Sequence, residues 1–385
     1  MTIHSTPAQG ITQAPAPGVS PAHEKSPSSP DSPADLSPVI PAQSPAPQTK
    51  TPQESGTPTG AVRRFLDENF LHFNSREVVA AAKGYEAHIN AGGRMLISLA
   101  GAMSTARLGK TLARMIRRGK VHAISCTGAN LEEDLFAMLA GKEYEHCPDW
   151  RALSTEDEQA LYDRGMNRVT DTCIPETVMR HLERRLVDRW KQAADSGKRQ
   201  FPYEYLFDII RSGELDEHYQ YPTKDSWMIA AAQMDIPVFC PGWEDSTTGN
   251  IFAAAVIRGA VAHHQCVKSG TELMQLVADW YLENMPGENE DSPSVGFFQV
   301  GGGIAGDFAI CAVPMLIQDL KKEDTRFWGY FCQTSDACTS YGGYSGAVPN
   351  EKITWGKLDA DTPKYMIESD ATIVTPLIFA YVLGD

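Results

Sequence analysis

Val295-Gly-Phe-Phe-Gln-Val-Gly-Gly-Gly-Ile-Ala-Gly306 decides the fold. Val295–Val300 is an apolar run of strand length, and Gly301–Gly306 is a GxGxxG match. A helix is expected from about Asp307 to Lys321. Glycines in this setting permit a tight turn and let a pyrophosphate approach a helix N-terminus. A helix–strand packing turn is the alternative reading of the same residues. Asp336, after the next expected strand Phe327–Cys332, is a candidate to bind a ribose hydroxyl pair. Asp307 is unusual at the start of such a helix, because a carboxylate repels phosphate; it is either an N-cap or part of a substrate site.

The same alternation extends in both directions and gives an α/β fold. Upstream, a helix near Ser75–Asn90 precedes the run Met95–Ala100, a helix near Ser104–Arg118 and the run Val121–Ser125. Both runs end in small residues, Gly101-Ala-Met-Ser-Thr105 and Cys126-Thr-Gly-Ala-Asn130, which is where α/β proteins place ligands. Residues 143–225 read mainly as helices with loops. Alternation resumes at Ile236–Cys240, with a helix from Ile251 to about Lys268. The final run Ala371–Leu383 contains Pro376 and suits a buried strand followed by a helix.

The chain has 385 residues, and its first 60 hold 13 of the 25 prolines and no aromatic residue. Such a stretch buries too little apolar surface to offset its ordering entropy, so 1–60 is expected to be a disordered tail. Residues 61–385 are then one domain. The tail has no apolar run of signal-peptide type, and no stretch is a clear membrane span. Eight cysteines lack the paired spacing of a zinc site, and no acid–histidine cluster has ligand spacing, so no metal is expected. Reduced thiols fit a cytoplasmic protein. The net charge of −15 argues against nucleic acid and is compatible with cationic small substrates.

Three further stretches hold candidate chemistry. Glu132-Glu133-Asp134 follows the Thr127-Gly128 turn and opens a helix, where acids offset the dipole. His263-His264 falls inside the expected 251–268 helix as a packing or surface pair. Asn350-Glu-Lys-Ile-Thr-Trp-Gly-Lys357 sets a lysine behind a tryptophan and a carboxylate. Most lysines are solvated surface groups, but an aromatic, poorly hydrated setting favours the neutral amine that attacks carbonyls and imines.

Five motifs occur here in the order found in the deoxyhypusine synthase family: Thr127-Gly128 with Glu132-Glu133-Asp134, Asp245-Ser246 with Gly249, Gly301–Gly303, Glu351 with Thr354-Trp355-Gly356-Lys357, and Ser369-Asp370-Ala371. The resemblance covers about residues 65–383 and is closer to the bacterial branch of deoxyhypusine synthase-like proteins. It implies a Rossmann-like NAD-binding fold, a homotetramer with interfacial active sites, and transfer of a four-carbon aminobutyl group. In that family NAD takes a hydride from a polyamine, the imine exchanges onto the catalytic lysine, and an acceptor amine displaces it and is reduced.

By motif match, the resemblance places NAD contacts at Gly101, Ala102, Met103, Ser104, Thr105, Thr127, Gly128, Ala129, Glu133, Asp245, Gly302, Asp336, Ala337, Asp370 and Ala371. Residue types depart from the family's at Gly101–Thr105 and Asp336. On the substrate side it implies Glu132, Asn250, Asp307, Tyr344, Glu351 and Trp355, with Lys357 as nucleophile and Asp307 and Glu351 as acid–base groups. Two family carboxylates are replaced here, by Asn250 and by Tyr344, and the family's histidine by Asp307. A buried ammonium without a carboxylate is heavily penalised, so these exchanges move the places where amines can bind. The expected activity is aminoalkyl transfer from a polyamine to a free diamine, as in homospermidine formation. The competing readings are modification of a protein lysine with spermidine as donor, and a non-catalytic NAD- or polyamine-binding protein.

Overall fold

The computed structural model describes residues 60–287, 290–339 and 341–385. Apart from Gly60, the expected tail over 1–60 lies outside these residues. In chain order the strands are β1 Met95–Leu99, β2 Ala123–Cys126, β3 Glu145–His146, β4 Met166–Val169, β5 Thr172–Pro175, β6 Val238–Phe239, β7 Gly296–Val300, β8 Tyr330–Ser335 and β9 Lys364–Glu368. Six form one sheet in the order β6-β2-β1-β7-β8-β9, with every pairing parallel. Counted along the chain among themselves, these six run 3-2-1-4-5-6. That is the doubly wound order, whose direction reverses between β1 and β7 and leaves a crevice beyond the carboxyl ends of the strands.

Period-two alternation builds a core on each face. Met95, Ile97 and Leu99 of β1, Phe298 and Val300 of β7, and Tyr330 and Cys332 of β8 join one core with the helices Phe73–Asn90, Gly109–Arg117 and Ala371–Leu383. Leu96, Phe297 and Phe331, pointing the other way, pack with the helices Gly270–Asn284 and Gly303–Ile310. All five residues of β1 and of β7 are buried, as a sheet covered on both faces requires.

Several expectations change. Residues 101–108 are turns and the helix begins only at Gly109, because Ser104 is drawn inward to Asn130. The 143–225 region carries β3, β4 and β5 as a small antiparallel sheet of short, partly exposed strands that give little apolar signal. The helix expected over 251–268 spans Thr247–Ile257, opened by the Ser246 hydroxyl accepting from Gly249 N. His263 and His264 therefore lie beyond it. Pro376 sits within a single helix, Ala371–Leu383, because Val374, Ile378, Phe379 and Val382 pack at helical spacing and Asp370 caps the N-terminus. Strand β8 runs to Ser335, three residues past its expected end, so Asp336 leaves directly from its tip.

All eight cysteines are free, with Cys332 buried in β8 and Cys338 exposed. Among the described residues, no cluster of three or more His, Cys, Asp or Glu could hold a metal ion, and no helix is long and apolar enough to cross a membrane.

Candidate active site

The Gly301–Gly303 turn is where the sheet hands the chain to the site. Gly301 and Gly303 have φ of +76° and +61°, a region open to glycine at little cost. The helix then runs from Gly303 to Ile310, so Asp307 lies in its second turn, and Gly302 is the N-cap residue. The expected N-cap role for Asp307 is thereby excluded. Its carboxylate instead faces Lys357, which arrives from the opposite side.

Lys357 is positioned by a short local device. Glu351–Thr354 makes one helical turn, and Gly356 at φ +66° reverses the chain. Lys357 N then bonds back to Lys352 O at 3.1 Å, and Trp328 N donates to Lys357 O at 3.3 Å. The Lys357 side chain is 8% exposed, and its Nζ donates to Asp307 Oδ1 at 2.9 Å, where the Asp307 side chain is 48% exposed. The ammonium also stands 5.3 Å from the Tyr344 ring centre and 5.9 Å from that of Trp355.

These groups surround a cavity of about 450 Å³ lined by Asp307, Cys311, Tyr344, Glu351, Lys352, Trp355 and Lys357 with the Gly342–Gly343 and Ala347 backbone. Tyr344 forms a wall: its hydroxyl donates to Gln299 Oε1 at 2.7 Å, and burial raises its pKa well above the usual phenol value. Gln299 pairs in register with Gln333 across β7 and β8, and their amides bond at 3.2 Å. Gln333 in turn donates to Ser345 O at 2.8 Å. Two buried strand glutamines thus hold the 344–345 segment against the lysine.

Lys352 was not singled out from the sequence, yet it is 2% exposed and its Nζ reaches the same cavity. It donates to Gln333 Oε1 and Ala347 O, each at 3.4 Å, and lies 4.8 Å from both the Phe331 and Tyr344 ring centres. Burial, then the nearby Lys357 charge, pushes its pKa down to about 8. Helical spacing on a four-residue turn gave no sign that position 352 points inward.

A second, larger cavity of about 880 Å³ opens at the carboxyl ends of the strands. Of the residues expected to touch cofactor, Ala102, Met103, Thr105, Asp336, Asp370 and Ala371 line it, together with Gly301, Arg107, Arg151 and Ser335. The two arginines escaped sequence reasoning because neither belongs to a recognisable motif. Thr105 Oγ1 is buried with no hydrogen-bond partner among the described residues. A dinucleotide fits this cleft in size, and the buried hydroxyl and the arginines supply donors for its polar atoms.

The remaining expected contacts lie elsewhere. Ser104 is committed to packing: its Oγ donates to Asn130 O and accepts from Trp227 Nε1. Gly101 O accepts from Thr127 Oγ1 at 2.7 Å, and a Cβ on Gly302 would meet Ser345 Oγ at 2.0 Å. Ala337 follows Asp336, its N–H bonded to Ser335 Oγ. Thr127 caps the Gly128–Ala140 helix, Gly128 and Ala129 begin it, Glu133 lies in its second turn, and Asp245 is exposed after β6; none lines the large cleft.

Glu132-Glu133-Asp134 do not open that helix; they occupy its second turn and are largely buried. Glu132 accepts from Thr247 N at 3.0 Å and Thr248 N at 2.8 Å, so it caps the Thr247–Ile257 helix and is not free to hold an amine in the Lys357 cavity. Asn250 donates to Ser246 O at 2.7 Å, is exposed, and lies outside that cavity as well.

A sequence model of one family, described as deoxyhypusine synthase, matches residues 68–382. The chain belongs to the deoxyhypusine synthase family. That family is NAD-dependent and transfers an aminobutyl group from spermidine. The deoxyhypusine synthase-like protein of Nostoc sp. is 27% identical over 329 residues, covering 83% of this chain and 80% of its own. That of Chlorobaculum parvum is 27% identical over 292 residues, covering 74% and 75%. These relatives agree with the bacterial branch expected from the motifs. A solved structure from Entamoeba histolytica designated a deoxyhypusine synthase superposes with a TM-score of 0.50 at 13% identity, covering 82% of this chain and 90% of that one, a likeness of fold.

Proposed function

We propose that this deoxyhypusine synthase family member moves an aminobutyl group from a polyamine to a free diamine through an imine on Lys357. The observation that carries this is the buried Lys357 amine set 2.9 Å from the Asp307 carboxylate in a cavity of about 450 Å³ walled by Tyr344 and Trp355. NAD, when bound, accepts a hydride from the amine-bearing donor carbon and returns it to the product, so the transfer is redox-neutral.

The protein's own groups do the rest. Asp307 accepts a proton from Lys357, which frees the nitrogen lone pair for attack on the donor imine. Once the nitrogen is part of an iminium, the same carboxylate stabilises its positive charge. Tyr344 and Trp355 pack on the alkyl chain, and Glu351 offers a carboxylate to an ammonium at the opening. Ala102, Met103, Thr105, Gly301, Asp336, Asp370 and Ala371, which line the large cleft, are proposed to hold NAD.

We further propose a homotetramer in which a neighbouring subunit completes each site. Asn250 and Asp245 are exposed away from the chain's own Lys357 cavity, while Ile304, Tyr341 and Trp355 leave large apolar surface uncovered. The free thiols fit a cytoplasmic setting.

The test is mass spectrometry of the protein incubated with NAD and polyamines, then borohydride. A four-carbon adduct on Lys357 and formation of a free triamine are expected. An adduct transferred only to a protein lysine would replace the free-diamine reading with protein modification. Absence of any adduct across the panel would leave a binding protein.

A further inference from the structure

Two of the free thiols meet beside the large cleft. Cys147 directly follows β3 and Cys173 lies in β5, where Glu145 pairs with Cys173 and His146 with Thr172. Cys147 N donates to Asp171 O at 2.7 Å, which carries the pairing one residue further. Because side chains alternate along a strand, Cys147 and Cys173 share one face as diagonal neighbours, and their Sγ atoms stand 3.4 Å apart. Cys147 is half-buried and Cys173 buried. The segments flanking this pair wall the cleft: Trp150 and Arg151 shortly after Cys147, and Val169, Thr170, Asp171 and Thr172 immediately before Cys173. Val169 pairs with Thr172, so the β4–β5 turn is Thr170-Asp171 alone. Thr170 has φ of +56°, rare for a β-branched residue, and its carbonyl accepts from Arg168 Nη1 at 2.6 Å. So tight a turn has no slack to absorb a displacement of Cys173.

We propose that Cys147 and Cys173 form a reversible redox switch on the large cleft: a peroxide converts them to a disulfide, which displaces the cleft wall and weakens NAD binding. This rests on the reading of that cleft as the NAD site. The Cys147 sulfur attacks one peroxide oxygen, the O–O bond breaks, and a sulfenic acid and a first water result. The Cys173 sulfur then attacks the Cys147 sulfur, the S–S bond forms and the S–O bond breaks. The hydroxyl leaves with the Cys173 proton as a second water. The two thiols thus lose two electrons and two protons, and hydrogen peroxide is reduced to two waters. A dithiol reductant reverses the bridge by exchange.

The ladder geometry links the bridge to the cleft. A disulfide holds its sulfurs at about 2 Å and its Cα atoms within about 7 Å. Diagonal neighbours on paired strands stand about 7–8 Å apart, so closing the 3.4 Å gap draws β3 and β5 out of their reduced register. Burial, then the hydrogen bond with Cys147, pushes the Cys173 thiol up to about 11. Cys173 therefore stays protonated at neutral pH, and the half-buried Cys147 is the thiol oxidised first. In a reducing compartment such a bridge is transient and suits sensing. Linkage makes the effect mutual: the factor by which the bridge weakens NAD is the factor by which NAD disfavours the bridge.

The test treats the reduced full-length protein with hydrogen peroxide, removes the excess with catalase, and maps bridges by peptide mass spectrometry after free thiols are blocked. NAD affinity is measured by calorimetry before oxidation, after it, and after dithiothreitol. A Cys147–Cys173 bridge, a Kd for NAD raised about tenfold or more, and recovery with dithiothreitol are expected. Cys147→Ser is expected to bind NAD as reduced wild type does and to keep that affinity through peroxide. If Cys147→Ser does not fold, Cys147→Ala serves, and the wild-type bridge map and affinities already discriminate. Absence of this bridge, a bridged protein within about twofold of the reduced affinity, or a peroxide effect that persists in the Cys147 variant overturns the switch. Asp336→Ala in the reduced protein separates the two readings. Weakened NAD binding there leaves the cleft reading standing when the switch fails, and unchanged binding overturns both.

Discussion

Replacing Asp307 by asparagine isolates the charge of the Lys357 pair from its shape. The amide side chain would have nearly the volume of the native one and keep an oxygen that can accept the Lys357 hydrogen bond, so only the carboxylate charge is lost. Two unit charges at the observed 2.9 Å attract by about 6 kcal/mol at an effective dielectric of about 20, and by about 1.4 kcal/mol in bulk water. Lys357 is shielded but nearly half of Asp307 is exposed, which places the pair towards the screened end. Roughly 2–3 kcal/mol of stabilisation of a cationic nitrogen at this position follows. Because the iminium and the transition state leading to it carry that cation, Asp307→Asn should lower kcat/KM for aminobutyl transfer by about 30- to 150-fold. The assay is product formation at saturating NAD, with the rate of borohydride-trapped adduct as a second readout and Lys357→Ala as the zero. A variant that folds normally and stays within threefold of wild type in both readouts would refute the assignment of Asp307 to the charge on Lys357.

Three other perturbations separate scaffold from site. Glu132→Ala removes the acceptor for both Thr247 N and Thr248 N, and a loss of about 2 kcal/mol in unfolding free energy is expected by denaturant titration, with Glu132→Gln less affected. Glu133 is pushed up to about pKa 7 and Asp134 to about 6, in each case mainly by burial. Their folded pKa values exceed the unfolded ones, so the folded state binds more protons between about pH 4 and 7. Stability is then fullest below pH 4 to 4.5 on this account and falls as pH rises through 6 to 7. Glu133→Gln should therefore be more stable than wild type at pH 8, by an amount that shrinks towards pH 5 in parallel thermal melts. Gly302→Ala would place a Cβ 2.0 Å from Ser345 Oγ and 2.6 Å from Ser345 Cα, forcing the segment that carries Tyr344 to move. At least a tenfold loss of transfer activity is expected, and a fully active Gly302→Ala protein would show that the two segments tolerate separation.

Much of the central sheet could be read from the chain because its strands are buried on both faces and appear as unbroken apolar runs. The small antiparallel sheet could not, since its strands are short and half exposed and their pattern resembles that of polar helix. Ser104 and Glu132 are engaged away from the two cavities for a shared reason. Motif matching assigns a residue type to a position, but a buried polar side chain goes where an unpaired N–H or C=O is, and here those were Asn130 and the Thr247–Thr248 amides.

By itself the sequence determined the α/β class, the glycine turn after β7, the lysine of the Trp355-Gly356-Lys357 motif and the family. These depend on local spacing and on backbone freedom at single residues, which a linear chain displays. Only the tertiary structure decided that Asp307, 50 positions away, is the partner of Lys357, and that Gln299 and Gln333 brace the wall between them. It also turned Lys352 inward. Charge pairing and desolvation act through space over a few ångströms, so their outcome is fixed by which strand ends and turns the fold brings together.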